Sequence, residues 1–272
     1  MGRYSPSRFH WPVPHFLFSD SPRDIIPRYA AGRPQYNRST MCRVEVDWIH
    51  ELDLSPAEAR RLQDELAPKV EPGPALDLDG VRYVAGADVS IEGDVGYAAV
   101  VVLSFPELEL VEVQGAETRL SFPYLSGLLA FREIPPVAEA LRKVRTPVDA
   151  VIFDSQGLAH PRRMGLASHL GLFLDVPSVG CAKTRLCGVH EDPVPEKGGE
   201  EDLVHRGEVV GRVLRTRTNV SPVYVSVGDR IDLQSAVDLT LACCPRYRLP
   251  EPTRQAHLAA NRLRKGENSA PG

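Results

Sequence analysis

Three carboxylates sit where a β-rich chain seldom keeps them. Asp88 interrupts the apolar run VAGADVS, Glu133 ends the segment SFPYLSGLLAFRE, and Asp154 closes VIFD. An acid at the mouth of an apolar sheet needs a compensating cation. Three of them on separate elements point to Mg2+, a hard cation that takes oxygen ligands. Singly, each acid reads as a turn, cap or surface residue. Jointly the metal reading is favoured. Val89 and Ile91 continue the strand past Asp88, where β propensity disfavours Asp. Asp154 ends its strand just before a turn, where sheet proteins place catalytic groups.

The neighbours of these acids suggest a polymer that must be pried open. Tyr124 follows Pro123 and precedes Ser126-Gly127, a tight exposed turn from which a ring can stack on bases or wedge between them. The ordinary alternative is a core aromatic. His160-Pro161-Arg162-Arg163 either starts a helix, with Pro161 in its first turn, or sets an imidazole and two guanidiniums near Asp154 for phosphate contact. Lys183 ends a short apolar strand, either as a snorkelling lysine or as a point charge for developing phosphoryl charge.

The elements that must carry these groups are legible in outline. Ser55-Pro56-Ala57-Glu58 is a capping box with proline at the first helical position, and Ala59, Leu62 and Leu66 form its buried stripe. Val81 to Ile91, Tyr97 to Phe105 and Leu108 to Thr118 are β-rich runs punctuated by Gly93-Asp94 and Pro106-Glu107, which predicts a meander of two hairpins. A helix from about Ser126 to Val144 follows, interrupted at Pro135-Pro136. Next come a buried strand from Val148 to Phe153, a helix from about Arg163 to Leu174, and a strand from Ser178 to Ala182.

Residues 188–208, rich in Gly, Pro and acids, read as a surface loop. Arg212 to Thr218 and Pro222 to Val225 form a second small strand pair. Ile231 to Cys243 is a helix with Ile231, Ala236, Leu239 and Cys243 inward, and Thr253 to Lys265 is a basic amphipathic helix. The order gives a mixed α/β sheet flanked by helices, the ribonuclease H-like pattern. Residues 1–45 have a different composition and read as a poorly ordered extension, with Met41 an alternative start. Residues 46–266 are the folded domain and 267–272 a disordered tail.

At 272 residues and 43% hydrophobic, the chain can bury one substantial core with an appendage, or two small domains. A net charge of −4 and a pI near 6.1 argue against a protein that coats nucleic acid non-specifically. A nuclease needs basic residues along one groove only. Five cysteines without a CxxC pair argue against a disulfide framework or zinc site, so a reducing cytoplasm is expected. No apolar run approaches the roughly 18 residues that span a bilayer, so no membrane association is expected.

PYLSGLLAFRE, DSQGLAHPRRMG, GCAKTRLCG and VYVSVGDRI, with GADVS before them, resemble the endonuclease V family of inosine-directed repair nucleases. The resemblance spans about Leu54 to Arg264. It implies a monomeric ribonuclease H-like enzyme that uses Mg2+, with Mn2+ able to substitute. The implied reaction is a cut at the second phosphodiester bond 3′ to deoxyinosine, leaving a 3′-hydroxyl and a 5′-phosphate. DNA containing deoxyinosine is the implied substrate; inosine-containing RNA, or binding of inosine without cleavage, is the alternative.

By the same resemblance Asp88, Glu133 and Asp154 match the metal-site acids, and Pro123 and Tyr124 the strand-separating wedge. Gly127 and Leu129 border the pocket for the flipped base. His160 and Lys183 match further active-site positions, and Arg162, from the phosphate reading above, is expected among the DNA-binding residues. Asp229 falls where many bacterial members carry histidine and some others aspartate, and is expected among the catalytic groups. Ser126 and Ser155 depart from a proline and a glycine common at those places.

Overall fold

The computed structural model describes residues 44–267. The expected extension, residues 1–45, lies outside them but for its last two positions, as does the tail beyond residue 267. One eight-stranded sheet organises the described chain, in the order β3-β2-β1-β4-β5-β8-β7-β6. Strands β1 (Tyr83–Glu92), β2 (Val95–Ser104) and β3 (Leu110–Arg119) form the expected antiparallel meander. β4 (Ala150–Phe153) and β5 (Ser178–Ala182) add to β1 in parallel, and β8 (Val223–Asp229) returns antiparallel to β5. Gly93, at φ +60, makes the first turn of the meander, a backbone that costs glycine nothing.

Residue alternation splits the core between the two faces. Ala85, Ala87, Val100, Val102 and Phe153 pack under α2 (Leu129–Lys143) and α3 (Leu166–Gly171). On the other face Val84, Ile152, Val179 and Val225 pack against α4 (Leu233–Ala242). Beside them Ala99, Val101 and Leu103 pack against α5 (Glu251–Arg264). Helix α1 (Pro56–Leu66) is nucleated by the expected capping box, Ser55 N donating to Glu58 Oε2 at 2.8 Å and Glu58 N to Ser55 Oγ at 3.3 Å. It leans on Phe122, Leu128 and Phe131 through Ala59.

Five local expectations differ. The α2 helix starts at Leu129 rather than Ser126, because Gly127 at φ +77 cannot lie in a right-handed helix. It then runs unbroken through Pro135-Pro136. Proline removes an amide donor and crowds the preceding turn, but here Ile134, Pro136, Val137 and Leu141 are buried against the sheet and hold the helix together. The α3 helix is shorter than its apolar pattern, since Arg163 is left-handed at φ 56 and Gly165 is extended.

The acidic segment expected as a loop contains β6 (Glu200–His205), paired with β7 (Glu208–Leu214) around a turn in which Arg206 and Gly207 have φ 58 and 81. Its acids protect an edge strand from further pairing, and Asp202 faces Arg212 across the ladder. The expected small strand pair, β7 with β8, is therefore part of the main sheet.

Candidate active site

β1 and β4 deliver the first two acids side by side. Asp154 follows Phe153, the residue that pairs with Ala87, and its N–H reaches the Ala87 carbonyl at 3.3 Å. Asp88 is therefore its neighbour across the parallel ladder. From α5 comes a third group, His257, whose Nδ1 lies 2.6 Å from Asp88 Oδ2. One ligand atom each from Asp88, Asp154 and His257 falls within 4.8 Å of the others. The His257 tautomer follows from its partners. Ser90 Oγ donates to Asn261 Oδ1 (3.0 Å), the Asn261 amide to His257 Nε2 (3.0 Å), and His257 Nδ1–H to Asp88.

Glu133 approaches from α2, on the opposite face of the sheet. Burial first, then the charges of Asp88 and Asp154, push its carboxyl up from 4.5 to about 7. The Asp88 carboxyl is raised by burial and by Asp154, against the pull of His257. Glu133 and Asp88 both resist ionising beside Asp154, the mark of a site short of positive charge, and oxygen donors with one imidazole fit a small divalent cation. Lys183, just past the end of β5, brings an ammonium to the cluster, bonded to Asp154 Oδ2.

A cavity of about 300 Å³ opens from Glu133, Asp154 and Lys183. Gly127 and Leu129 line its far wall, and His160 is among its buried residues. Pro123 and Tyr124 stand just before that wall; both are exposed, Tyr124 at 74%. The Ser126-Gly127 turn is fixed from behind. Its Gly127 carbonyl accepts from Gln63 Nε2 (3.1 Å), His160 Nε2 (3.1 Å) and Arg162 Nη2 (2.8 Å). His160 is neutral: burial and Arg162 lower it to about 4, and its Nδ1 accepts the Arg162 N–H at 3.1 Å.

The structure thus gathers Asp88, Glu133, Asp154 and Lys183 at one end of the sheet and places Gly127, Leu129 and His160 around the adjoining cavity. Arg162, half-buried, holds the turn, with its Nε on Gln63 Oε1 at 2.6 Å and its Nη2 on the Gly127 carbonyl. Arg163 is likewise bonded to His205 and Glu208. Asp229 is not with the catalytic groups. It pairs with Ser178, the first residue of β5, whereas Lys183 follows the last, which separates them by roughly 15 Å at the rise of a strand. Its buried carboxylate instead accepts the Glu71 N–H at 2.9 Å.

Two residues of the site were not evident from sequence. His257 lies in a stretch whose basic, amphipathic pattern resembles an ordinary solvated face, and its only local signal is the i,i+4 pairing with Asn261. Gln63 carries a clearer signal. It is a polar residue in the stripe of Ala59 and Leu66, fully buried, and a buried amide must have specific partners.

The chain is similar to known proteins over most of its length. A family model described as Endonuclease V matches residues 64–258. The Endonuclease V of Trichormus variabilis is 50% identical over 216 residues, covering 78% of this chain and 97% of the relative. The crystal structure of Endonuclease V from Streptomyces avermitilis superposes with a TM-score of 0.74 at 44% identity, covering 79% of this chain and 95% of that one. Endonuclease V of Ciona intestinalis, solved with a 24mer DNA containing an inosine followed by a ribo-adenosine, gives 0.68 at 29% identity, covering 78% and 98%. The mixed sheet flanked by helices is ribonuclease H-like, as in these relatives. With a family match across residues 64–258 and half-identity to a nearly full-length relative, the chain belongs to the endonuclease V family.

Proposed function

We propose that this protein is a Mg2+-dependent endonuclease that nicks the second phosphodiester bond 3′ to deoxyinosine, leaving a 3′-hydroxyl and a 5′-phosphate. The observation that carries this reading is the acid cluster opening directly into a base-sized cavity bordered by an exposed Pro–Tyr pair. Asp88 and Asp154 would hold the cation with Glu133 beside them, and His257 would join through Nδ1 on giving up the proton it donates to Asp88. When bound, the cation supplies Lewis-acid stabilisation of the charge that grows on the phosphoryl oxygens. Glu133 orients the attacking water. Lys183 both orients Asp154 and adds positive charge beside the phosphate. Tyr124 fills the gap left by the extruded base, and extrusion is easier at a weak inosine pair.

The test is a nicking assay on a duplex with one deoxyinosine, with Mg2+, with Mn2+ and with EDTA, beside an undamaged duplex. A metal-dependent nick one nucleotide beyond the lesion supports the reading; equal cutting of both duplexes ends it. Inosine-containing RNA is the second substrate to assay, favoured by the ribo-adenosine in the DNA bound to the Ciona relative. A monomer acting in the cytoplasm completes the proposal. Among the described residues no helix is long and apolar enough to cross a membrane.

Two predictions arise at this site. Tyr124→Ala is expected to weaken binding of the lesion duplex by about tenfold, the scale of one lost base–aromatic contact, and to affect single strands less, since nothing there needs prying open. Equal losses on both would remove the wedge role. The second concerns pH in metal-free protein. Glu133 has its folded value raised from 4.5 to about 7, so between those values the folded state holds a proton that the unfolded chain has released. The stability this contributes is fully present below about 4.5 and is lost as pH rises through about 7. Asp88, also raised, acts in the same direction. Melting in EDTA should fall by roughly 5–10 °C from pH 5 to pH 8, and Mg2+ should restore it. A flat profile would contradict the repulsion.

A further inference from the structure

The loop between α4 and α5 carries a second exposed aromatic that the reaction described above does not use. Pro245, Arg246 and Tyr247 are all exposed, Tyr247 at 44%. The loop itself is firmly held. Arg248 donates to the carbonyls of Ser221 (2.8 Å), Pro222 (2.8 Å) and Lys183 (2.7 Å), while Thr216 Oγ1 donates to the Arg248 carbonyl at 2.6 Å. One face of the Tyr247 ring is covered by the Arg254 guanidinium, 4.3 Å from its centroid. Arg254 is in turn fixed by two hydrogen bonds to Glu251, at 2.8 and 2.5 Å.

This stack adjoins the acid cluster on two sides. Arg248 grips the backbone of Lys183, whose ammonium holds Asp154. Arg254 lies one turn before His257, which holds Asp88. The base cavity is lined by Glu133, Asp154 and Lys183 and by no residue of the α4–α5 loop, which meets the acids instead through Arg248 and the helical turn that leads to His257. The cut bond lies 3′ to the flipped base. A strand passing from the cavity across the acids therefore reaches the Tyr247 loop with its 3′ portion.

We infer that Tyr247, backed by Arg254, is a stacking platform for the nucleotides 3′ of the scissile bond, with Arg246 placed to meet their phosphates. The inference rests on the nuclease reading above. A ring already packed against a fixed guanidinium loses little freedom when a base covers its open face, and stacking of this kind tolerates any base sequence. Tyr124 and Tyr247 then grip the strand on either side of the cut.

The experiment compares two single strands with one deoxyinosine, one continuing about twelve nucleotides 3′ of the lesion and one ending two nucleotides past it. Tyr247→Ala should raise KM on the long strand by about tenfold with kcat little changed. On the short strand its KM should equal that of the unaltered protein, and Tyr247→Phe should behave as the unaltered protein on both. Equal losses on the two strands, or no loss on either, would overturn the platform. Should the unaltered protein fail to cut deoxyinosine at all, the nuclease reading falls and this inference with it.

Discussion

Asp154→Ala will abolish cutting, lowering the single-turnover rate by more than about a thousandfold, or roughly 4 kcal/mol of transition-state stabilisation. Two losses coincide in this substitution. One oxygen donor leaves the cluster formed with Asp88 and His257, and Lys183 loses the partner that aims its ammonium. Lesion binding should survive, because the Gly127 turn between Tyr124 and Leu129 is held by Gln63, His160 and Arg162 and not by the acids. Asp154→Asn keeps the shape and removes the charge, so it separates the two effects. It too should be inactive, and its Glu133 should titrate lower, having lost one repelling neighbour. Nicking that persists in either variant, with contamination excluded, would overturn the metal assignment.

Gly86→Ala should be the most damaging single methyl group among the substitutions proposed. A Cβ at Gly86 would sit 2.1 Å from the carbonyl carbon of Pro252 and 2.4 Å from Thr253 N. Both are backbone atoms, so no side chain can swing aside, and α5 must lift from β1. Overpacking of this kind costs roughly 3 kcal/mol or more, a fall of about 10 °C in Tm. Activity should drop as well, since lifting α5 draws His257 from Asp88. Gly93→Ala is the control. Nothing lies within 4 Å of its Cβ, and only its φ of +60 is strained, which costs about 1 kcal/mol. Similar melting of the two variants would show that α5 is not seated as described.

Much of this architecture was legible because tertiary packing and local pattern agree. The β1–β3 meander announces itself through apolar runs and turn residues, and β5 matches its expected bounds. Where they disagree, packing prevails. Pro135-Pro136 reads as a break, yet the helix is held by its buried face. β6 reads as a loop because an edge strand keeps acids on show. The site divides in the same way. Asp88, Glu133 and Asp154 stand out as acids at the ends of apolar runs or within them, a signal available along the chain. His257 has no such signal, since its meaning comes from a partner 169 residues away. Asp229 was expected at the site by resemblance alone. It ends β8, which runs antiparallel to β5, so it emerges at the other end of the sheet.

The seating of α5 also governs when the protein becomes competent. The helix follows β1 in sequence by more than 150 residues and tracks it from Gly86 to Glu92, through Pro252, His257, Asn261 and Arg264. Such a distant contact forms late, after the chain between has been ordered. A polypeptide halted on the ribosome before Glu251, or clipped there by a protease, would retain every strand of the sheet and both aspartates. It would lack the histidine, and Ala99, Val101 and Leu103 would lose the cover of Ala256 and Ala260. Incomplete copies would thus keep the sheet but lack one group of the acid cluster and expose an apolar face.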